Sequence, residues 1–169
     1  LRGPLKDRVR LALLGERMAS AFIKGAQSVR GIMTTVKHYV NNDQETNRAA
    51  VDAVVDAATE WNLYYRPFAA AIRAGSWGVM CSYNNINGSP GCSSRQTLVT
   101  DLRRRMKFRG FVVSDWFATR DTRRSANNGL DIEMPVPLYF GDRLALAVKT
   151  HLVSLRTIDA KVGNILRAI

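Results

Sequence analysis

With 169 residues, 46% of them hydrophobic, the chain is long enough for one domain with a core of its own. No apolar run approaches the length of a membrane span, and the basic start Leu1-Arg2-Gly3-Pro4 lacks the apolar centre of a signal peptide, so the chain reads as a segment of something longer with no membrane partner. A net charge of +11, from 25 Lys and Arg against 14 acids, raises an anionic partner such as nucleic acid, yet only Arg103-Arg104-Arg105 and Arg123-Arg124 are clustered. The first cluster suits the last turn of a helix, where cations complement the dipole. A basic nucleic-acid-binding domain is therefore an alternative and not the main reading.

In chain order, Leu11, Leu14, Met18, Phe22 and Ala26 recur at three- and four-residue spacing, which predicts an amphipathic helix over 9–27. The β-branched stretch 32–40 then predicts a strand ending in Lys37-His38, and the polar residues 41–48 predict a loop. A short helix is expected over 49–58, and another with Pro67 in its first turn and Gly75 closing it. Residues 77–83 read as a second strand with a turn-rich exit, and Ser94 as the cap of a helix carrying Leu98, Leu102 and Met106. Cys81 and Cys92 flank that turn-rich exit. A disulfide closing it and two buried free thiols fit the sequence equally well.

Gly110-Phe111-Val112-Val113-Ser114-Asp115-Trp116 is the most informative stretch. It is apolar on both faces in the middle, the habit of a strand buried in a parallel sheet, and it ends in a carboxylate that is costly to bury unless paired or used. A helix over 120–128, a short strand Leu130-Asp131-Ile132-Glu133, and helices over 142–150 and after the cap Ser154, with Ile158, Val162 and Ile165 inward, complete the pattern. Strands alternate with helices and no hairpin is expected, so the fold class is α/β with a parallel sheet, either the second half of a (β/α)8 barrel or part of an open sheet. Every strand ends in polar or aromatic residues, and those ends are where ligands bind in such folds. Lys37 and His38 are neighbours that point to opposite faces of a regular strand, so both serve one site only if the strand ends there and the backbone turns.

The segment Val36-Lys37-His38-Tyr39-Val40-Asn41-Asn42 through Glu45 and Arg48 resembles a strand and loop of glycoside hydrolase family three β-glucosidases. So do Val79-Met80-Cys81-Ser82-Tyr83-Asn84 with Asn87-Gly88, then Gly110 to Trp116, and Gly129-Leu130-Asp131 with Met134-Pro135, in the family's order. The resemblance implies that residues 1–169 form the C-terminal half of that family's N-terminal (β/α)8 (TIM) barrel domain. It implies a retaining β-glucosidase with Asp115 as nucleophile, Lys37 and His38 holding sugar hydroxyls, Tyr83 beside the nucleophile and Trp116 as an aromatic wall. In such an enzyme an acid stands about 5–5.5 Å from the nucleophile.

No cofactor or metal is implied. The implied partners are a β-glucoside or short β-glucan, the remainder of the barrel, and a second domain bearing the acid/base Glu. An extracellular or periplasmic setting is favoured. The loop 41–45 lacks the His of the family's hexosaminidase branch, which favours the glucosidase type, and Phe117 stands where a small residue is usual. A non-catalytic carbohydrate-binding remnant is the second alternative. Asp131 and Glu133 read as structural carboxylates, and Arg48 and Asn84 as residues that hold loops in place.

Overall fold

The structure, a computed structural model, describes residues 5–169, with side chains from Arg10 onward. Its centre is a parallel sheet in the order β1-β3-β6, where β1 is Thr35–Tyr39, β3 is Gly78–Cys81 and β6 is Phe111–Ser114. A single parallel bridge, Val113 to Ile132, stands where the fourth strand is expected. Leu130-Asp131-Ile132 docks on β6 through the Asp131 and Ile132 N–H groups to Val112 O, and turns away before a ladder develops.

The register fixes which side chains share a face. Thr35, Gly78 and Phe111 lie level across the sheet. A Cβ on Gly78 would stand 2.3 Å from Thr35 Oγ1 and 2.9 Å from Phe111 Cζ, so those two side chains close over the glycine on one face. Gly110 is required for a different reason: a Cβ there would lie 2.0 Å from the Trp77 carbonyl oxygen. Val36, Val79 and Val112 point to the opposite face, where Leu98, Leu102 and Phe108 pack in the main core with Tyr39, Tyr65 and Leu130. Pleat alternation then places Phe111, Val113 and Asp115 on the same side as Thr35 and Lys37.

Helix α1 (Leu5–Gln27) packs on α3 (Tyr65–Arg73). The face that docks is not the expected one. Ala12 and Ile23 are buried and Gly15 lies against Pro67, while Leu11, Leu14, Met18 and Phe22 are exposed. Small residues win the contact because they let the helices approach closely, and no described residue covers the larger stripe. Residues 49–58 are a second correction. They form a two-residue strand β2 (Asp52–Ala53) and only the start of a helix, α2 (Ala57–Thr59), capped by Asp56. Pro67 lies in the first turn of α3, as expected, but α3 does not start from a loop. The coil runs from α2 through a wide-wound turn, Glu60–Tyr64, in which the Tyr65 N–H reaches Glu60 O five residues back, and continues through Pro67, which has no N–H to contribute.

A hairpin is present, contrary to expectation. Strand β4 (Asn85–Ile86) pairs antiparallel with β5 (Ser89–Pro90) across Asn87-Gly88, both at positive φ, and β2 pairs parallel with β4. This small sheet stands beyond the ends of β1 and β3. Cys81 and Cys92 are disulfide-bonded, with Cα atoms 5.1 Å apart. Ser94 Oγ accepts from the Thr97 N–H at the head of a wide-wound helix, Gln96–Arg105. After β6 come α4 (Thr122–Asn127), α5 (Asp142–Lys149) and α6 (Leu155–Leu166, capped by Ser154). In α6, Ile158 and Ile165 are half-buried, Val162 is exposed and Lys161 is buried. Lys161 lies inside because its ammonium donates to Leu130 O and sits over the Phe140 ring. Among the described residues no helix is long and apolar enough to cross a membrane.

Candidate active site

Asp115 emerges from the C-terminal end of β6, held by its own N–H to Cys81 O and buried except for a sliver of surface. Its two carboxylate oxygens are treated differently. Oδ1 accepts from the Trp116 N–H at 2.7 Å and from the Tyr83 hydroxyl at 3.1 Å. Oδ2 has His38 Nε2 at 3.2 Å, yet it is buried without a hydrogen-bond partner among the described residues. The close approach is not aligned for donation, so His38 is an electrostatic neighbour of Oδ2 and leaves its lone pairs free. One oxygen is pinned by two donors and the other, though buried, carries no hydrogen bond among the described residues, so only the second has no donor to give up before forming a new bond.

His38 reaches Asp115 because the pairing of β1 with β3 slips between Val36 and Tyr39. β1 does not end at Lys37-His38 but runs on to Tyr39 through that slip. Lys37 is exposed on the open face of the sheet. It has no hydrogen bond or ion pair among the described residues and borders a groove with Phe22, Val36 and Phe68. The structure therefore brings His38, Tyr83 and Trp116 into contact with Asp115, and brings Lys37 to the same face without contact. Trp116 and Phe117 stand exposed beside the carboxylate, Phe117 at positive φ with its N–H on Met134 O.

Burial, then the Asp115 charge and the hydrogen bond to it, push the Tyr83 phenol above its ordinary value, partly offset by Arg48. Tyr83 is thus the donor in the contact with Asp115 at neutral pH. The Arg48 guanidinium lies 4.2 Å from the Tyr83 ring centre and pairs with Glu45 at 2.6 Å. Arg120 donates to Ala49 O, Tyr83 O and Asn85 Oδ1, so it clamps the loop after β1 to the exit of β3. Sequence reasoning missed Arg120, because its partners lie far away in the chain and no motif marks it.

The other carboxylates near the rim are engaged elsewhere. Asp131 accepts from Val112 N–H, Arg103 and Asn164, and Glu133 accepts from the N–H groups of Tyr139 and Phe140. Asn84, fully buried, donates to Val40 O and Asn85 O and holds the two loops together.

Residues 12–168 match the glycosyl hydrolase family 3 N-terminal domain. The chain is 41% identical over 164 residues to probable beta-glucosidase L of Emericella nidulans, covering 92% of this chain and 22% of that protein. It is 40% identical over 152 residues to beta-glucosidase cel3A of Pyricularia oryzae, covering 86% and 21%. Among solved structures it superposes on the beta-D-glucoside glucohydrolase of Trichoderma reesei with a TM-score of 0.88 at 38% identity, over 90% of this chain and 22% of that one. The beta-glucosidase DesR of Streptomyces venezuelae, in complex with D-glucose, gives 0.87 at 37% identity, over 92% and 21%. The chain thus spans about a fifth of the length of the relatives it matches.

Proposed function

The chain belongs to glycosyl hydrolase family 3, and on that premise we propose that it supplies the nucleophile half of a retaining β-glucosidase site. As a partial (β/α)8 barrel, it stands in this reading for the later strands of the N-terminal barrel domain. The observation that carries the proposal is the asymmetry of Asp115, with Oδ1 held by two donors and Oδ2, beside His38 at 3.2 Å, without a hydrogen-bond donor among the described residues.

In the first step Asp115 Oδ2 forms a bond to the anomeric carbon, and the bond from that carbon to the aglycone oxygen breaks. That oxygen takes a proton from an acid. In the second step water attacks the same carbon, gives its proton to the conjugate base, and Asp115 leaves as a carboxylate. His38 and Lys37 offer donors to sugar hydroxyls, Tyr83 and the Trp116 N–H hold Oδ1, and the Trp116 indole offers a face to the C–H side of the ring.

The acid is assigned to residues outside this chain. The carboxylates nearest the rim, Asp131 and Glu133, are already committed to backbone N–H groups. The substrate class is a β-glucoside or short β-glucan, supported by the relatives, which are named beta-glucosidases and a beta-D-glucoside glucohydrolase.

The test is Asp115→Ala in the whole protein that carries this chain, assayed on an activated aryl β-glucoside. Turnover should fall by several orders of magnitude, and azide should restore it while giving the α-glucosyl azide. Turnover that survives Asp115→Ala, or a β-configured azide product, would remove Asp115 from the role.

A further inference from the structure

We propose that Arg48 is a positioning residue that acts on Asp115 through Tyr83; the inference rests on Asp115 being the nucleophile. Tyr83 is fixed at three points. Its carbonyl is held by Arg120, its hydroxyl donates to Asp115 Oδ1 at 3.1 Å, and its ring lies under the Arg48 guanidinium at 4.2 Å. Arg120 also binds Ala49 O, the residue after Arg48, so one side chain sets the spacing between the stacking cation and the ring it covers. Glu45 holds Arg48 from the solvent side. The result is a chain of contacts, Glu45 to Arg48 to Tyr83 to Asp115, ending on the oxygen that does not attack.

A cation over an aromatic face draws electron density from the ring. In a phenol that makes the O–H a better donor. The consequence differs between the two steps. When Oδ2 is bonded to the sugar, Oδ1 is the carbonyl oxygen of an ester, and Tyr83 and the Trp116 N–H donate to it. As that ester breaks, negative charge returns to the carboxylate, and the donors on Oδ1 stabilise it as the leaving group. Before the first step the same hydrogen bond restrains the nucleophile. Strengthening it therefore favours deglycosylation without a matching gain in glycosylation.

The experiment is a double-mutant cycle in the whole protein, with Arg48→Met, Tyr83→Phe and the pair, on a substrate whose deglycosylation limits turnover. Arg48→Met should lower kcat about two- to ten-fold, from the usual strength of such a stack. KM should fall with it, so kcat/KM stays nearly level. In the Tyr83→Phe background the same change should have almost no further effect. Arg48→Lys, which keeps a cation over the ring, should recover most of kcat.

A loss of equal size in the Tyr83→Phe background would overturn the proposal, since Arg48 would then act without the phenol. So would a rise in KM at unchanged kcat, the mark of direct substrate contact, or an Arg48→Lys variant no better than Arg48→Met. If instead Asp115→Ala retains turnover, it is the assignment of the nucleophile that has failed, and the cycle is not needed to show it.

Discussion

Removing the Asp131 carboxylate should destabilise the fold by about 3–5 kcal/mol, the usual cost of leaving a buried charge without its partner. Asp131 and Arg103 form an ion pair with side chains only 2% and 18% exposed. Asp131 Oδ2 also accepts from the Val112 N–H at 2.7 Å, and Oδ1 from Asn164 at 3.1 Å. Asp131→Ala strands the guanidinium, a strand N–H and the Asn164 amide together, and removes the negative charge nearest Lys161. Arg103 keeps Gly110 O at 3.0 Å, which limits the damage.

Asp131→Asn leaves an acceptor for Val112 but no charge for Arg103, so its cost should be smaller, about 1.5–3 kcal/mol. Urea unfolding followed by tryptophan emission gives both values, with the slope unchanged. A loss below about 1 kcal/mol for Asp131→Ala would show that Arg103 is satisfied by solvent and that the pair does not hold this end of the sheet to the helix Gln96–Arg105.

Three further outcomes are expected. Reducing the Cys81–Cys92 bond, which closes a loop of 11 residues, should cost about 2–3 kcal/mol by freeing the unfolded chain, seen as a lower urea midpoint in dithiothreitol; an unchanged midpoint would refute it. Burial lowers the Lys161 ammonium to about 8, so its charged form opposes folding; stability should rise as pH climbs from about 8 towards the ordinary lysine value near 10.4, and Lys161→Met should flatten that rise, while an equal slope in both would refute it. Glu60, buried with Oε2 lacking a hydrogen-bond partner among the described residues, has its carboxyl raised chiefly by desolvation; the stability this group contributes at acid pH should be lost as pH rises through the raised value, and Glu60→Gln should abolish that loss in pH-dependent unfolding, whereas an unchanged profile would contradict it.

The parallel sheet was legible because its strands are apolar on both faces, and Asp115 because a carboxylate ending such a strand demands a reason. The cap residue Ser94 was legible from its neighbours alone. What the sequence hid depends on partners. The stripe Leu11, Leu14, Met18, Phe22 has perfect helical spacing, yet α3 docks on the smaller face at Ala12, Gly15 and Ile23. Lys161 displaced Val162 from the inner face of α6 because a carbonyl and an aromatic ring wait for its ammonium. The hairpin at Asn87-Gly88 carried a local signal that a general reading of the stretch as loop concealed. Lys37 and His38 illustrate a finer limit: that both could face one site hinged on a slip in register, and a register shift has no signature in one strand's sequence.

The most direct test of the central claim is covalent capture of the nucleophile. The whole protein that carries this chain is incubated with a 2-deoxy-2-fluoro-β-glucosyl fluoride, digested and sequenced by mass spectrometry. The fluoroglucosyl group should be found on Asp115, and its appearance should match the loss of activity. Label on any other carboxylate, or complete inactivation with Asp115 unmodified, would contradict the account.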